Sequence, residues 1–469
     1  MDKRGINREI FRLAIPSIIA NITIPVVGMV AIAVVGHIRG DAGFSAATLI
    51  GGISIGTMLF DLMYWNFGFL RTGTGGLVAQ ACGSGDKEEC AALFYRAEGI
   101  ALASAVFLLA IQWLVVKLAL FIVDATPEVE YLASEYFYVR VWAAPATLSL
   151  MSIKGWLIGM QDGVSPMLTD IVVNVVNVAM SIILALGIHV GPFDYDGMGF
   201  IGVALATVIA QYSGFILGLL LVFVKYSEVF SGRSPGDVRA AFRGPQVRQF
   251  FRLNLDVRSL CFIGIYIGFT SIAATYGDLI LATSSIMMQL MMLFSYITDG
   301  FAYAGEAMVG RFVGEQNLHN LRLTSRFVTL WSFMVTFVFL AVYWFFGDGM
   351  LAMLTNDPAV RECGHTFLIW LQLMPIIGCA AFTWDGIFTG ATDTVDMRNA
   401  MLLSTVLYFA AYFAANAVLN PAMDGIFGLH LLLAAYCLHL LVRTAYLCLR
   451  YRKGVWGKIR KPEQESLCR

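Results

Sequence analysis

The sequence predicts an all-α membrane protein of twelve transmembrane helices, built as two parallel six-helix repeats. Three observations carry that reading. Of the 469 residues, 58% are hydrophobic and 13% are charged, and the mean hydropathy is +0.74. Soluble chains hold about 45–50% apolar and about 25% charged residues, so this composition suits a bilayer. The apolar residues also fall into runs long enough to cross one, since a spanning helix needs about 20 of them. Finally, Gly155-Trp156-Leu157-Ile158-Gly159-Met160-Gln161-Asp162 recurs as Gly386-Ile387-Phe388-Thr389-Gly390-Ala391-Thr392-Asp393, offset by 386 − 155 = 231 residues. Each copy closes a long apolar run. Duplication in an apolar chain of this size is the usual mark of a transporter whose substrate site lies between the repeats.

The runs lie near 10–36, 45–70, 91–121, 131–160, 165–189 and 199–225, then 247–275, 279–310, 321–347, 358–389, 395–418 and 427–449. Several are longer than the bilayer core requires, which implies tilt or protruding helix ends. The first run exceeds the roughly 7–15 residues of a signal-peptide core and is expected to be retained. Further pairs support the duplication: Phe11-Arg12-Leu13 with Phe251-Arg252-Leu253, Gly68-Phe69 with Gly300-Phe301, Gly83 with Gly314, Pro145 with Pro375, and Asp196-Gly197 with Asp424-Gly425.

Cations set the expected orientation. Lys3, Arg4 and Arg8 precede the first run; Lys225, Arg233, Arg239, Arg243 and Arg248 fill the long central connection; Arg450, Arg452, Lys453, Lys458, Arg460 and Lys461 follow the last. The alternate loops near 124–130, 190–198, 348–357 and 419–426 carry only acids, and Arg39 is the exception. The positive-inside rule then places both termini in the cytoplasm. Six spans per repeat is an even number, so the repeats enter from the same side and are parallel. The expected divisions are an N-lobe at 1–226, a cytoplasmic connection at 227–246, a C-lobe at 247–452 and a basic tail at 453–469 lying against anionic lipid.

Other classes find no support. The net charge of −1 points to no nucleic-acid partner, and the eight cysteines (Cys82, Cys90, Cys261, Cys363, Cys379, Cys437, Cys448 and Cys468) contain no CxxC. They read as small core residues or reduced thiols, with no disulfide framework and no metal site. No Walker A or HExxH sequence occurs, and the glycine-rich stretches sit beside apolar runs, where they read as close helix contacts. No enzyme chemistry and no cofactor is expected.

Several segments are similar to signatures of the MATE exporters, in their DinF branch. These are Trp65-Asn66-Phe67-Gly68-Phe69-Leu70-Arg71-Thr72-Gly73 with Ala79-Gln80-Ala81, and Asp299-Gly300-Phe301-Ala302-Tyr303-Ala304-Gly305-Glu306-Ala307. Asp385-Gly386-x-Phe388-x-Gly390-Ala391-Thr392 with Met397-Arg398-Asn399, and the stretch from Gly199 to Ala210, are similar as well. The resemblance runs from about Phe11 to Tyr446. It implies two six-helix lobes around a V-shaped cleft, and export of organic compounds by antiport against H⁺ or Na⁺. One departure matters. The branch typically carries a first-span acid where this chain has Ala31, and the acid often found four residues after the fifth-span Asn is Ser181 here. The family's N-lobe proton site therefore does not carry over intact.

An ionisable group at the bilayer centre costs on the order of 3 kcal/mol on insertion scales, so each needs a partner or a function. Asp299, Glu306 and Asp385 are the coupling candidates for H⁺ or Na⁺. Asp299 and Glu306 lie two helical turns apart on one face, and a carboxyl group in an apolar setting exchanges a proton nearer neutrality than one in water. The competing reading pairs these acids with Arg311, Arg398 or Lys154 at helix ends. In the N-lobe, Asp61, Asp170, Asn174 and Asn177 are the cavity candidates. The last three form one polar stripe, which serves equally as interhelical hydrogen-bond glue, and Asp61 is set to pair with Arg71 or Arg140. Met287, Met288, Met291 and Met292, with Tyr296 and Tyr303, are the substrate-contact candidates, because thioethers and aromatic faces adapt to many shapes. The methionines also read as core filler.

The sequence reading is thus an ion-gradient-driven exporter of amphipathic or cationic compounds, a monomer in the inner membrane. The rivals are a flippase for a lipid-linked precursor, a membrane enzyme, and a transporter relative whose coupling is lost or relocated.

Overall fold

The structure is a computed structural model that describes residues 2–36, 38, 46–122, 126–190, 193–231, 241–242, 257–355, 357–419 and 425–459. The described chain is helical apart from one short hairpin. The helices are α1 (Lys3–Gly36), α2 (Ala46–Trp65), α3 (Phe69–Ser84), α4 (Lys87–Ile122), α5 (Pro127–Arg140), α6 (Ala144–Gly159), α7 (Val164–Leu186), α8 (Phe200–Lys225) and the single turn α9 (Ser227–Phe230). After the central connection come α10 (Val257–Ala274), α11 (Asp278–Gly314), α12 (Leu318–Leu354), α13 (Pro358–Gly390), α14 (Thr394–Leu419) and α15 (Gly425–Gly454). The strands β1 (Ile188–Val190) and β2 (Phe193–Tyr195) pair antiparallel, with Ile188 opposite Tyr195.

Among the described residues, eleven helical segments are long and apolar enough to cross a membrane, and α1 is a further helix of 34 residues. The expected twelve spans are thereby accounted for. α2 with α3, and α5 with α6, each make one span; Val141–Ala143 forms a 3₁₀ turn that joins α5 to α6. The second span is longer than expected. It continues through α3 to Ser84, where the expected run ended at 70. Gly73, Gly75 and Gly76 dilute the hydropathy there, so a helix packed closely on its neighbours resembles a loop. Outward faces are apolar: Val106 and Phe107 on α4 and Phe337, Trp344 and Phe345 on α12 are all more than half exposed. Lipid solvates such faces, whereas water would not tolerate them over whole helices.

The chain divides into two compact units. The first comprises Met1–Ile18, Ala79–Gly85 and Leu253–Arg469, the second Ile19–Val78 and Asp86–Arg252. The start of α1 and the end of α3 thus pack with the C-terminal helices, a grouping that the division by sequence halves does not contain. In the first unit Phe11 lies edge-on to Phe301 and Trp331, and Trp331 Nε1 donates to Asn7 Oδ1 at 3.0 Å. The core of this unit gathers Phe294, Phe339, Tyr343, Phe367, Tyr408 and Tyr436, with the Tyr343 hydroxyl donating to Leu290 O. In the second unit Trp156 is fully buried; its Nε1 donates to Cys90 O at 2.9 Å, and Phe94, Tyr226 and Phe230 surround it.

The duplicated motif does the same thing in each unit. A methyl placed on Gly155 would run into the carbonyl oxygen of Arg71, and one on Gly386 into that of Ala302. One turn later a methyl on Gly159 would come within 2.8 Å of Gly75 O, and one on Gly390 would run into Glu306 O. Both members of each contact keep the 231-residue offset, since 302 − 71 and 306 − 75 also equal 231. The two glycines let backbones approach as side chains would not. Each helix then ends alike. Gln161 and Thr392 adopt left-handed φ of 63° and 53°. Asp162 N donates to Leu157 O and Asp393 N to Phe388 O, both at 3.0 Å, which closes the helix by the same six-residue cap. Within the first unit, α3 and α11 touch reciprocally: Gly83 sits on Arg311 O and Gly314 on Gln80 O.

Candidate functional site

The acids singled out by sequence occupy three settings. Asp385, near the end of α13, is held by two cations, Arg258 on α10 at 3.2 Å and Arg443 on α15. Arg443 is only 1% exposed and stacks its guanidinium over Phe262. Neither partner was foreseen, because Arg311 pairs with Glu315, Lys154 with Asp170, and Arg398 donates to Asn399. An ion pair this enclosed holds a charged carboxylate in place. Glu306 on α11 is 1% exposed, and its carbonyl oxygen receives Gly390 of the repeated motif. Asp299, two turns earlier on the same helix, is half-buried beside Gly300, which packs on Ile18 and Ala14 of α1. Asp299 and Glu306 therefore line a helix that the start of α1 and α13 both pack against.

In the second unit every member of the polar stripe on α7 has a partner. Asp170 bridges to Lys154 of α6, Asn174 Nδ2 donates to Thr23 of α1, and Asn177 Nδ2 donates to Thr207 Oγ1 of α8 at 3.1 Å. The stripe ties α7 to three neighbours. Asp61 on α2 is exposed, and Arg140 of α5 is the cation that bears on it. Arg140 also donates to Thr57 and Tyr136 and lies 4.7 Å above the Phe60 ring. Ala31, at the place of the first-span acid, packs against an apolar cluster built around Val35, Phe60 and Phe137, and Ser181 is fully buried.

Met287, Met288 and Met291 are buried in the core of the first unit, so here they fill space. Met292, Tyr296 and Tyr303 are partly exposed on the same helix. One acid escaped the sequence reading altogether. Glu98 on α4 presents a fully enclosed Oε1 toward Ser149 and Ser152 of α6. Its signal was available, since Glu98 stands immediately before the uncharged run from Gly99 to Val116, but Arg96, Glu88 and Glu89 beside it read as an ordinary charged helix end.

The acids of the repeated turns lie outside the spans and differ in electrostatics. Burial alone would raise Asp162. A 2.7 Å hydrogen bond from Lys225, the Ser165 hydroxyl and amide, and the Lys225 charge together hold it below the usual carboxylate range. Asp393 is pushed above that range by burial and by the neighbouring Asp396, with Lys458 and Arg450 offsetting only part. Asp396 is itself taken up by Arg450, both oxygens at 2.9 Å. Among the described residues no cluster of three His, Cys, Asp or Glu has the arrangement of a metal site.

Comparison with known proteins bears on these observations directly. The MatE family model matches residues 16–183 and again 257–413, one match in each repeat. DNA damage-inducible protein F of Escherichia coli (strain K12) is 30% identical over 96% of this chain and 94% of its own length. A probable multidrug resistance protein NorM of Pseudomonas putida is 22% identical over 71% of this chain and 72% of its own. Among solved structures, a crystal structure of MATE in complex with MaD3S superposes with a TM-score of 0.79 at 18% identity, covering 97% of both chains.

Proposed function

The chain belongs to the MatE family, and from that premise we propose that it is a secondary transporter that exports amphipathic or cationic organic compounds by antiport against H⁺ or Na⁺. The observation that carries this reading is Glu306, a carboxyl group 1% exposed on the spanning helix α11, eight residues before its end at Gly314, with Asp299 two turns away on the same face. Such a group is expensive to bury in a bilayer and is kept where it binds and releases a cation. Asp299 and Glu306 are the coupling candidates. Asp385, held by Arg258 and Arg443, serves as the fixed charge that sets the local field. Met292, Tyr296 and Tyr303 are the contacts offered to substrate. The lobes alternate access by rocking, in a monomer of the inner membrane with both termini cytoplasmic.

The flippase reading asks for unmatched cations in the spans to hold a pyrophosphate, whereas Arg258 and Arg443 are matched by Asp385, and Lys154 by Asp170. Relocated coupling has a specific observation in its favour, since Ala31 belongs to an apolar cluster. Reconstitution in liposomes tests the proposal. With ethidium as probe, an imposed pH or Na⁺ gradient should drive uptake into inside-out vesicles, and Asp299→Asn should slow it at least tenfold. Uptake indifferent to both gradients refutes ion coupling.

A further inference from the structure

We propose that Glu98, together with Ser149 and Ser152, forms a proton-exchange site inside the second unit, in a place where the mechanism proposed above assigned no role. The inference rests on the antiport reading and makes it specific for H⁺ in this repeat. Three observations converge. Glu98 Oε1, Ser149 Oγ and Ser152 Oγ are all enclosed, and among the described residues none completes a hydrogen bond. The two serines are nonetheless the groups that act on the carboxyl. Ser149 and Ser152 are each 0% exposed and three residues apart on α6, hence on one face. Trp156 of α6 meets Cys90 of α4, and Ser149 and Ser152 of α6 meet Glu98, so the two helices run antiparallel with Glu98 level with Ser149.

Among the described residues the pocket holds oxygens, and no cation is paired with Glu98. On α4 itself, Arg96 donates from Nε to Ala241 O and pairs through Nη1 with Glu89, and its Nη2 is enclosed without a partner among the described residues. Lys154 of α6 is committed to Asp170, Glu228 of α9 to Lys87, and Arg140 of α5 to Thr57 and Tyr136. The α5 acids Glu128, Glu130 and Glu135 lie toward the opposite end of α4, on the order of 20 Å along the axis or more at about 1.5 Å per residue. A carboxylate in such a place has the two serine hydroxyls to balance it and no ion pair among the described residues, and protonation removes the charge. The two serines can hold either form: the carboxylate accepts from both hydroxyls, and the neutral acid donates its O–H to one serine oxygen while Oε1 accepts from the other. The exchange is one proton added to or lost from the carboxyl, with no other bond changed. Glu98 stands where the uncharged run of α4 begins, so a proton has a short path from the charged end of that helix. The site supplies a titratable group in the same unit where Ala31 and Ser181 removed two.

The test uses the full-length protein in lipid. Infrared difference spectra between acid and alkaline pH should show the C=O band of a protonated carboxyl, and Glu98→Gln should lose it. The same variant should insert and melt like the parent while losing pH-driven ethidium transport, and Glu98→Asp should restore part of both signals. A band that survives Glu98→Gln unchanged overturns the assignment. A band lost with pH-driven transport intact overturns the coupling role. A parent protein that moves ethidium under no gradient counts against the antiport reading alone, because the infrared band still decides whether Glu98 carries the proton.

Discussion

Replacing Gly155 or Gly386 by alanine tests the duplicated packing most directly. Neither site has room: the new methyl would overlap a backbone carbonyl, of Arg71 in one unit and Ala302 in the other. A backbone oxygen cannot swing aside, so the helices must separate by roughly 1 Å to reach an ordinary contact of about 3.5 Å. Overpacking of this kind costs about 1–3 kcal/mol, and the rigid obstacle argues for the upper end. Alanine returns about 1 kcal/mol through its helix preference, which leaves a net loss of about 2 kcal/mol in each variant. Gly264 and Gly349 supply the controls. They lie in α10 and α12, where an added methyl would meet nothing within 4 Å, so alanine there should be neutral or stabilising by up to about 1 kcal/mol. Thermal melting of the purified protein in detergent reads the difference as a fall of a few degrees for the first pair and none for the second. If Gly155→Ala and Gly386→Ala melt at or above the parent, or if only one of them falls, the claim that both repeats close by the same backbone contact is wrong.

Asp385→Asn removes the countercharge of Arg443 and should destabilise the first unit by about 3 kcal/mol; adding Arg443→Met should recover much of the loss, and a melt in which the double variant is worse than the single would contradict this pairing. Asp162, held below the usual carboxylate range, contributes stability that is present above its unfolded pKa and lost as pH falls through the folded one. Asp162→Asn should therefore flatten the acid limb of a melting-against-pH curve. Asp393, raised by burial and Asp396, has the opposite sign. Its ionisation opposes folding as pH climbs past the folded pKa, so Asp393→Asn should hold or raise the neutral-pH melting point where Asp162→Asn lowers it. Gln161→Gly, at a left-handed φ of 63°, should gain about 1 kcal/mol from relief of backbone strain, measured in the same melts.

The spans and the repeat were legible because both depend on local facts, apolar length and the spacing of glycines. Gly155 and Gly386 announced themselves in the sequence, and the structure gives them equivalent carbonyls to lean on, of Arg71 and of Ala302. Pairings across distant helices were not legible. Arg443 meets Asp385 from another span, and no periodicity names such a partner among several cations. The α7 stripe was visible as a pattern, but only coordinates could turn it into bonds to Thr23, Lys154 and Thr207. The methionines on α11 were ambiguous for the same reason: helical spacing assigns residues to a face without saying what covers it. α3 was cut short because a glycine-rich helix packed on its neighbours lacks the hydropathy that marks one facing lipid. The attachment of residues 1–18 to the C-terminal helices lies beyond any reading by sequence halves.

The meeting of α3 with α11 is self-complementary. Gly83 rests on Arg311 and Gly314 on Gln80, and swapping equivalent residues maps the seam onto itself, as in an isologous dimer. Four positions thereby form two copies of one lock. A bulkier residue at either glycine strains the same joint, and relief on one side does nothing for the other. Inheritance at 83 and 314 is consequently tied: in lineages that keep this joint, the two sites should stay small together or be remodelled together.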